Sequence, residues 1–225
     1  MKKLRDIEQN PKVKYLPIPK LRYIWAMSQY PMMRSAQHQL GWYKSAWKNA
    51  SIDAQGNPVP WLTYPAIFFL EQRKKIIKGA DVFEYGSGNS TFWWEKYSKK
   101  VVAVEYFNKW YKKMSEDLSK KTTLLFRENN DSHDFANAIL EEKTKYDIVV
   151  VDGRDRVRCA INAAERLKAG GVIIWDNSER PRYAKGVKQL HKLGFKQLDF
   201  FGPVPIDNKL EITSIFYKDK NIFDI

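Results

Sequence analysis

Four acidic residues stand at the ends of short apolar runs: Glu84 in DVFEYGSGNS, Glu105 in VVAVE, Asp152 in IVVVD and Asp176 in VIIWD. Packing gives no reason to end a buried strand in a carboxylate, so these four are the first candidates for binding or catalysis. Glu84 is followed by Gly86 and Gly88, then by Asn89, Ser90 and Thr91, all residue types that cap helix N-termini. A strand that reverses tightly into a helix leaves free N–H groups that favour an anionic group, and glycines let a ligand approach the main chain. Glu84, Tyr85, Gly86, Gly88, Asn89 and Ser90 are therefore read as one cofactor-binding turn. Glu105 lies 21 residues beyond Glu84. In dinucleotide-type folds an acid about 20 residues past the glycine turn takes the ribose hydroxyls, and two carboxylate oxygens suit a vicinal diol. The plain structural alternative is an ordinary exposed glutamate. Thr91 stands where a third glycine would complete a dinucleotide fingerprint, and no Lys-Ser/Thr pair makes a phosphate-cradling loop. The turn thus suits a nucleoside cofactor without pyrophosphate, and a nicotinamide dehydrogenase is the least favoured reading.

Other side chains have two readings each. His133 is placed to act as a base, or to lie on the surface. Arg154, Arg156, Arg180 and Arg182 follow two of the acidic strand ends and suit a phosphate or carboxylate on an acceptor. The aromatics of Tyr23–Tyr64 form either a lid, with Trp42, Trp61 and Tyr64 facing an acceptor, or packing for the extension. Cys159 reads as a packed thiol.

The elements that must position these groups alternate. Strands are expected at Val82–Tyr85, Val101–Glu105, Thr122–Arg127, Asp147–Asp152 and Gly171–Asp176. Helices are expected near Thr91–Tyr97, Lys109–Leu118, Ser132–Glu142 and Arg156–Leu167, with Gly170-Gly171 closing the last. Continuous β-branched runs are those of strands buried on both faces, and repeated βα units give a parallel sheet with right-handed crossovers. After a helix at Arg182–Leu193, two strands without a helix between them predict a closing hairpin. A helix from Thr63 to Lys78 precedes the first strand. The expected fold is α/β: a Rossmann-like doubly wound, mostly parallel sheet with a C-terminal antiparallel hairpin. Residues 1–62 make an aromatic-rich, largely helical extension or lid, and residues 63–225 the binding domain.

The 225 residues are 44% hydrophobic, enough for a core. No secretory signal pattern opens the chain and no apolar run reaches the ~18 residues of a spanning helix, so a soluble cytoplasmic protein is expected. The net charge of +13 admits an anionic small molecule, a nucleic acid, or dispersed solubilising lysine.

In that order, EYGSGNST, VVAVE, YDIVVVDG and LKAGGVIIWDN resemble the class I S-adenosylmethionine-dependent methyltransferases, over roughly Ala80 to the C-terminus. The resemblance implies that Glu84, Gly86 and Gly88 line the methionine half of S-adenosylmethionine and that Glu105 holds its ribose. It places Asn130, Asp131 and Ser132 near the adenine, and Asp152 at the reaction zone. GNPVPWLTYPAIFFLE, DGRDR and TSIFY are similar to a bacterial methyltransferase-like subset associated with glycan biosynthesis, which extends the likeness back to about Gly41. Asp152 with Asp176-Asn177 also resembles the magnesium-dependent catechol-type O-methyltransferases, implying Mg2+ on Asp152, Asp176 and Asn177; Arg154 or Arg156 paired with Asp152 is the competing arrangement. The expected activity is O-methylation of a small-molecule or glycan-type acceptor, with Asp152 and His133 as catalytic candidates and Arg154, Arg156, Asp176, Trp61 and Tyr64 as acceptor contacts. A nucleic-acid methyltransferase, a non-catalytic nucleoside-binding protein and a homodimer remain open.

Overall fold

The computed structural model describes residues 35–225. The start of the aromatic stretch, Trp25 included, lies outside the described residues. The helices are α1 (Ala36–Gln39), α2 (Trp42–Lys48), α3 (Tyr64–Glu71), α4 (Lys74–Ile77), α5 (Asn89–Tyr97), α6 (Asn108–Asp117), α7 (Asp134–Glu141), α8 (Arg156–Arg166) and α9 (Ala184–Lys192). The strands are β1 (Asp81–Tyr85), β2 (Lys100–Glu105), β3 (Thr122–Phe126), β4 (Tyr146–Val151), β5 (Leu167–Asp176), β6 (Lys196–Pro203) and β7 (Leu210–Tyr217). They form one sheet in the order β3-β2-β1-β4-β5-β7-β6. Neighbours from β3 through β5 pair in parallel, while β7 runs antiparallel to both β5 and β6. The doubly wound sheet and its closing hairpin are therefore as the sequence predicts.

Alternation along each strand sends successive side chains to opposite faces, and both faces are covered. Phe83, Val102, Val149 and Ile173 pack with Phe135, Ile139 and Ala160 on one side. Val82, Val101, Ile148 and Ile174 pack with Leu70, Trp93 and Trp94 on the other, where Val59 and Leu62 join the same core. The order reverses between β1 and β4, which opens a crevice beyond their carboxyl ends, the usual ligand position in open α/β sheets.

Three local expectations are corrected. The Thr63–Lys78 helix is broken into α3 and α4, because Arg73 turns its guanidinium onto the Phe69 ring, 3.6 Å from its centroid, and donates to the carbonyls of Phe69 and Phe223. Gly170-Gly171 does not close α8. That helix ends at Arg166 and β5 starts at Leu167, with a register shift against β4 between Tyr146 and Ile148. Gly170 has φ +76°, and a Cβ there would lie 2.7 Å from the Lys220 carbonyl oxygen, so this glycine accommodates the C-terminal tail. Finally, Asn89–Thr91 do not cap α5. Gly88 is its N-cap residue, and Thr91 reaches back to accept the Gly88 N–H at 2.9 Å.

Candidate functional site

The crevice is a cleft of about 440 Å³ whose walls include Glu84, Gly86, Ser90, Glu105, Asp152 and Asp176. All four acidic strand ends therefore meet in one place. Glu84, second from the end of β1, is 1% exposed, and Thr91 donates its hydroxyl to Glu84 Oε2 at 2.6 Å. Burial pushes the Glu84 pKa up to about 8, against the hydrogen bonds from Ser90 and Thr91 and with further upward pressure from Asp152 and Glu105. Among the described residues no cation pairs with this carboxyl group.

The two glycines of the turn do different work. Gly86 has φ +101° and passes so close to β4 that a Cβ would lie 3.2 Å from the Asp152 carbonyl oxygen. Its left-handed backbone is the tight reversal itself. Gly88 is extended, at φ 168°, and a Cβ built on it would meet no protein atom within 4 Å. The fold does not require glycine there; the space beside it is open, although Gly88 itself is not part of the cleft wall.

Glu105 ends β2 and is 4% exposed. Its Oε1 accepts the N–H groups of Tyr106 and Phe107, both at 2.9 Å, and its Oε2 accepts the Ser87 hydroxyl at 2.8 Å. Ser87 is fixed in turn, because Trp110 Nε1 donates to its carbonyl at 2.8 Å. Three donors orient the carboxylate and, of its roughly four acceptor sites, leave one on Oε2 for a ligand hydroxyl.

On the far side, Arg156 spans the remaining acids. Its Nη2 donates to Asp152 Oδ1 at 2.7 Å, and its Nη1 lies 3.2 Å from Asn177 Oδ1 and 3.7 Å from Asp176 Oδ2. Thr213 donates to Asp176 Oδ1 at 2.7 Å. Burial raises both carboxyl pKa values; the Asp152 charge raises Asp176 further and the Glu211 charge raises Asp152, while Arg156 pulls both down. The Mg2+ expectation is corrected here. A guanidinium engages all three residues assigned to the ion, and among the described residues no cluster of three or more His, Cys, Asp or Glu side chains is placed to hold a metal. The residues do not fit a divalent cation, whose place a fixed positive charge takes.

The other expected site residues divide. Tyr85, Ser90 and Trp61 line the cleft. The Asn89 side chain turns away and donates to the Ser51 carbonyl at 2.7 Å, tying the extension to the glycine turn. Tyr64 lines a separate depression with Phe68 and Trp93, and burial lifts its hydroxyl to about 12. Asp131 and Ser132 are exposed in the turn after β3, where their neighbour Asn130 lines a hollow with Tyr106, Phe126 and Arg154. His133, at φ +61°, sits before α7 with Nδ1 2.9 Å from Asp155 Oδ2, outside the cleft walls. Arg154 lies in a second hollow with Arg156, Arg180 and Arg182. Sequence reasoning gave no role to Ser87, Tyr106, Phe107 or Trp110, nor to Asp207, Lys209 and Glu211 from the β6–β7 end, all of which line the cleft. Ser87 lay in plain view between the two glycines. Asp207 arrives only through tertiary structure, held by Trp42 Nε1, which donates to its carbonyl at 3.0 Å.

Solved structures share the fold. An rRNA methylase from Streptococcus thermophilus superposes with a TM-score of 0.51 at 14% identity, covering 71% of this chain and 98% of that one. A precorrin-6y C5,15-methyltransferase from Geobacter metallireducens gives 0.52 at 14%, covering 66% and 85%. A SAM-dependent O-methyltransferase from Thermotoga maritima gives 0.50 at 18%, covering 71% and 67%. The fold is the Rossmann-like methyltransferase fold. No family model matches the sequence, and no curated protein matches it either. By their names the three methyltransferases act on an RNA, on a precorrin and on oxygen, so the fold leaves the acceptor open. Among the described residues no helix is long and apolar enough to cross a membrane.

Proposed function

We propose that this chain is an S-adenosylmethionine-dependent methyltransferase acting on a hydroxyl of a small-molecule or glycan-type acceptor. The observation that carries the reading is the pair of buried carboxylates, Glu84 and Glu105, that line one cleft together with Gly86 and Ser87 of the glycine turn. A ligand with a ribose diol and a cationic amino-acid end matches that pair. Glu105 would take the diol and Glu84 the ammonium, with the Gly86–Gly88 backbone against the methionine half. The cofactor supplies an activated methyl group, so the protein's share is alignment, exclusion of water and removal of a proton. Asp152 is the proton acceptor in this reading: desolvation raises its pKa, and Arg156 occupies only one of its oxygens. The net charge of +13 supports a second reading, methylation of a nucleic acid, which predicts binding of RNA or DNA that weakens steeply with salt.

The Glu84 carboxyl makes the test specific. With a pKa of about 8 it is mostly protonated at neutral pH in the free protein. A bound ammonium favours the ionised form, so binding releases up to about one proton near pH 7, and affinity rises as pH climbs toward 8. Calorimetric titration with S-adenosylhomocysteine in two buffers of different ionisation enthalpy reads that proton directly, and Glu84→Gln should abolish the buffer difference. If the intact protein binds neither S-adenosylmethionine nor S-adenosylhomocysteine, the reading fails.

Gly88→Ala separates ligand space from folding. The extended backbone accepts alanine, so thermal stability should hold or rise slightly, by up to about 1 kcal/mol. Affinity for S-adenosylhomocysteine should fall about tenfold or more, because the new methyl takes space that this reading gives to the methionine half of the ligand. Unchanged affinity would place the ligand elsewhere.

A further inference from the structure

We propose that the hollow beside the cleft seats the phosphate group of a small phosphorylated acceptor, gripped by Arg154 and Arg182; this deepens, and rests on, the methyltransferase reading above. The hollow is about 490 Å³, and Tyr106, Asp152, Arg156 and Arg180 belong to the walls of both spaces. A group bound there lies against Asp152, which both spaces share.

Its four arginines are not equivalent. Arg156 is committed to Asp152 and Asn177, and Arg180 donates to Glu211 at 3.0 Å. Arg154 spends only its Nε, on the Tyr106 hydroxyl at 3.2 Å, and its guanidinium stands 5.7 Å from the centre of that ring. Arg182 stands 4.8 Å from the centre of the Tyr183 ring. Among the described residues neither Arg154 nor Arg182 has a carboxylate partner within 4.0 Å. Both are exposed, yet each is braced on a tyrosine, so less rotamer freedom is lost when an anion binds. A guanidinium fork offers parallel N–H groups to two oxygens. Two forks supply four N–H groups, which would fill every acceptor site of a carboxylate but are taken by the three terminal oxygens of a phosphoryl group with sites to spare. The surroundings favour a compact anion over a polyanion. Asp152 and Asp155 share the hollow, and Asp207 and Glu211 line the cleft next to it, so no uninterrupted basic track crosses the site.

Inorganic pyrophosphate is the probe, titrated into the intact protein and into Arg154→Met/Arg182→Met, with S-adenosylhomocysteine titrated into both. The double variant should bind pyrophosphate at least about tenfold more weakly, with S-adenosylhomocysteine affinity and thermal unfolding unchanged. Arg154→Lys/Arg182→Lys, which keeps charge but loses the forks, should fall between the two. No pyrophosphate binding by the intact protein, or equal binding by the Met variant, overturns the inference. So does a short single-stranded RNA held through the same two arginines more tightly than pyrophosphate, which would assign the hollow to a nucleic-acid backbone. Pyrophosphate reads the hollow without the cofactor, so failure of S-adenosylhomocysteine to bind would strike the parent reading separately.

Discussion

Replacing Glu105 by alanine is expected to weaken S-adenosylhomocysteine binding by about tenfold to a hundredfold. A hydrogen bond to a charged group contributes about 1.5–3 kcal/mol, and the one acceptor site that the protein's own donors leave open on Glu105 makes one to the diol. The effect is large because the carboxylate is already oriented. Tyr106 and Phe107 N–H and the Ser87 hydroxyl hold it before any ligand arrives, so little ordering cost falls on binding. The same three donors complicate the alanine variant, which strips them of their acceptor and loosens the loop after β2. Glu105→Gln resolves the ambiguity. It keeps an oxygen acceptor for the two backbone N–H groups and loses the charge facing the diol. Titration should show Gln binding weakly, while thermal unfolding places it close to the parent protein and well above alanine. If Gln binds like the parent, the diol is not held there.

The strands and the four acids were legible because the signals are local. An apolar run with an acid at its end is both a buried strand and a rim carboxylate, and this held at β2 and β5, at β1 with Glu84 one residue short of the end, and at β4 with Asp152 immediately beyond it. What failed was long-range. Nothing near Arg73 announces that Phe223 will draw its side chain out of a continuous helix, and nothing near Gly170 announces the Lys220 carbonyl. The cap was misread for a subtler reason: Asn89, Ser90 and Thr91 are all good capping types, but Thr91 works from inside the helix, back onto Gly88. The metal reading failed in similar fashion. The spacing of Asp152 and Asp176-Asn177 is that of an oxygen-ligand set, and only the folded structure shows Arg156, the first residue of α8, entering the gap. The acids of the β6–β7 end were invisible as site residues, because the antiparallel return of β7 beside β5 brings them to the rim.

Arg156→Met should be the most destabilising single change in the cleft. The guanidinium is the cation that Asp152 and Asp176 share, and its own side chain is only 12% exposed. Removing one member of a buried charge network costs about 3–5 kcal/mol, because the partners stay behind uncompensated. For a chain of this size that is a fall of roughly 6–20 °C in the unfolding midpoint. The pH dependence identifies the cause. Both carboxyl pKa values stand above their ordinary range in the folded protein even with Arg156 present, Asp176 well above it. A group whose folded pKa is raised contributes stability that is complete below its unfolded pKa, near 4, and is lost as pH rises through the folded value. Without the guanidinium both folded values climb further, so the deficit of Arg156→Met should be greatest at neutral to alkaline pH and shrink steadily toward about pH 4. Asp176→Asn added to Arg156→Met removes one of the two repelling charges while keeping an oxygen for Thr213, and should recover part of the loss at pH 7 but little at pH 4. A deficit of constant size across that range would mean that Arg156 contributes packing alone, and the acidic wall of the cleft would then need another explanation for its stability.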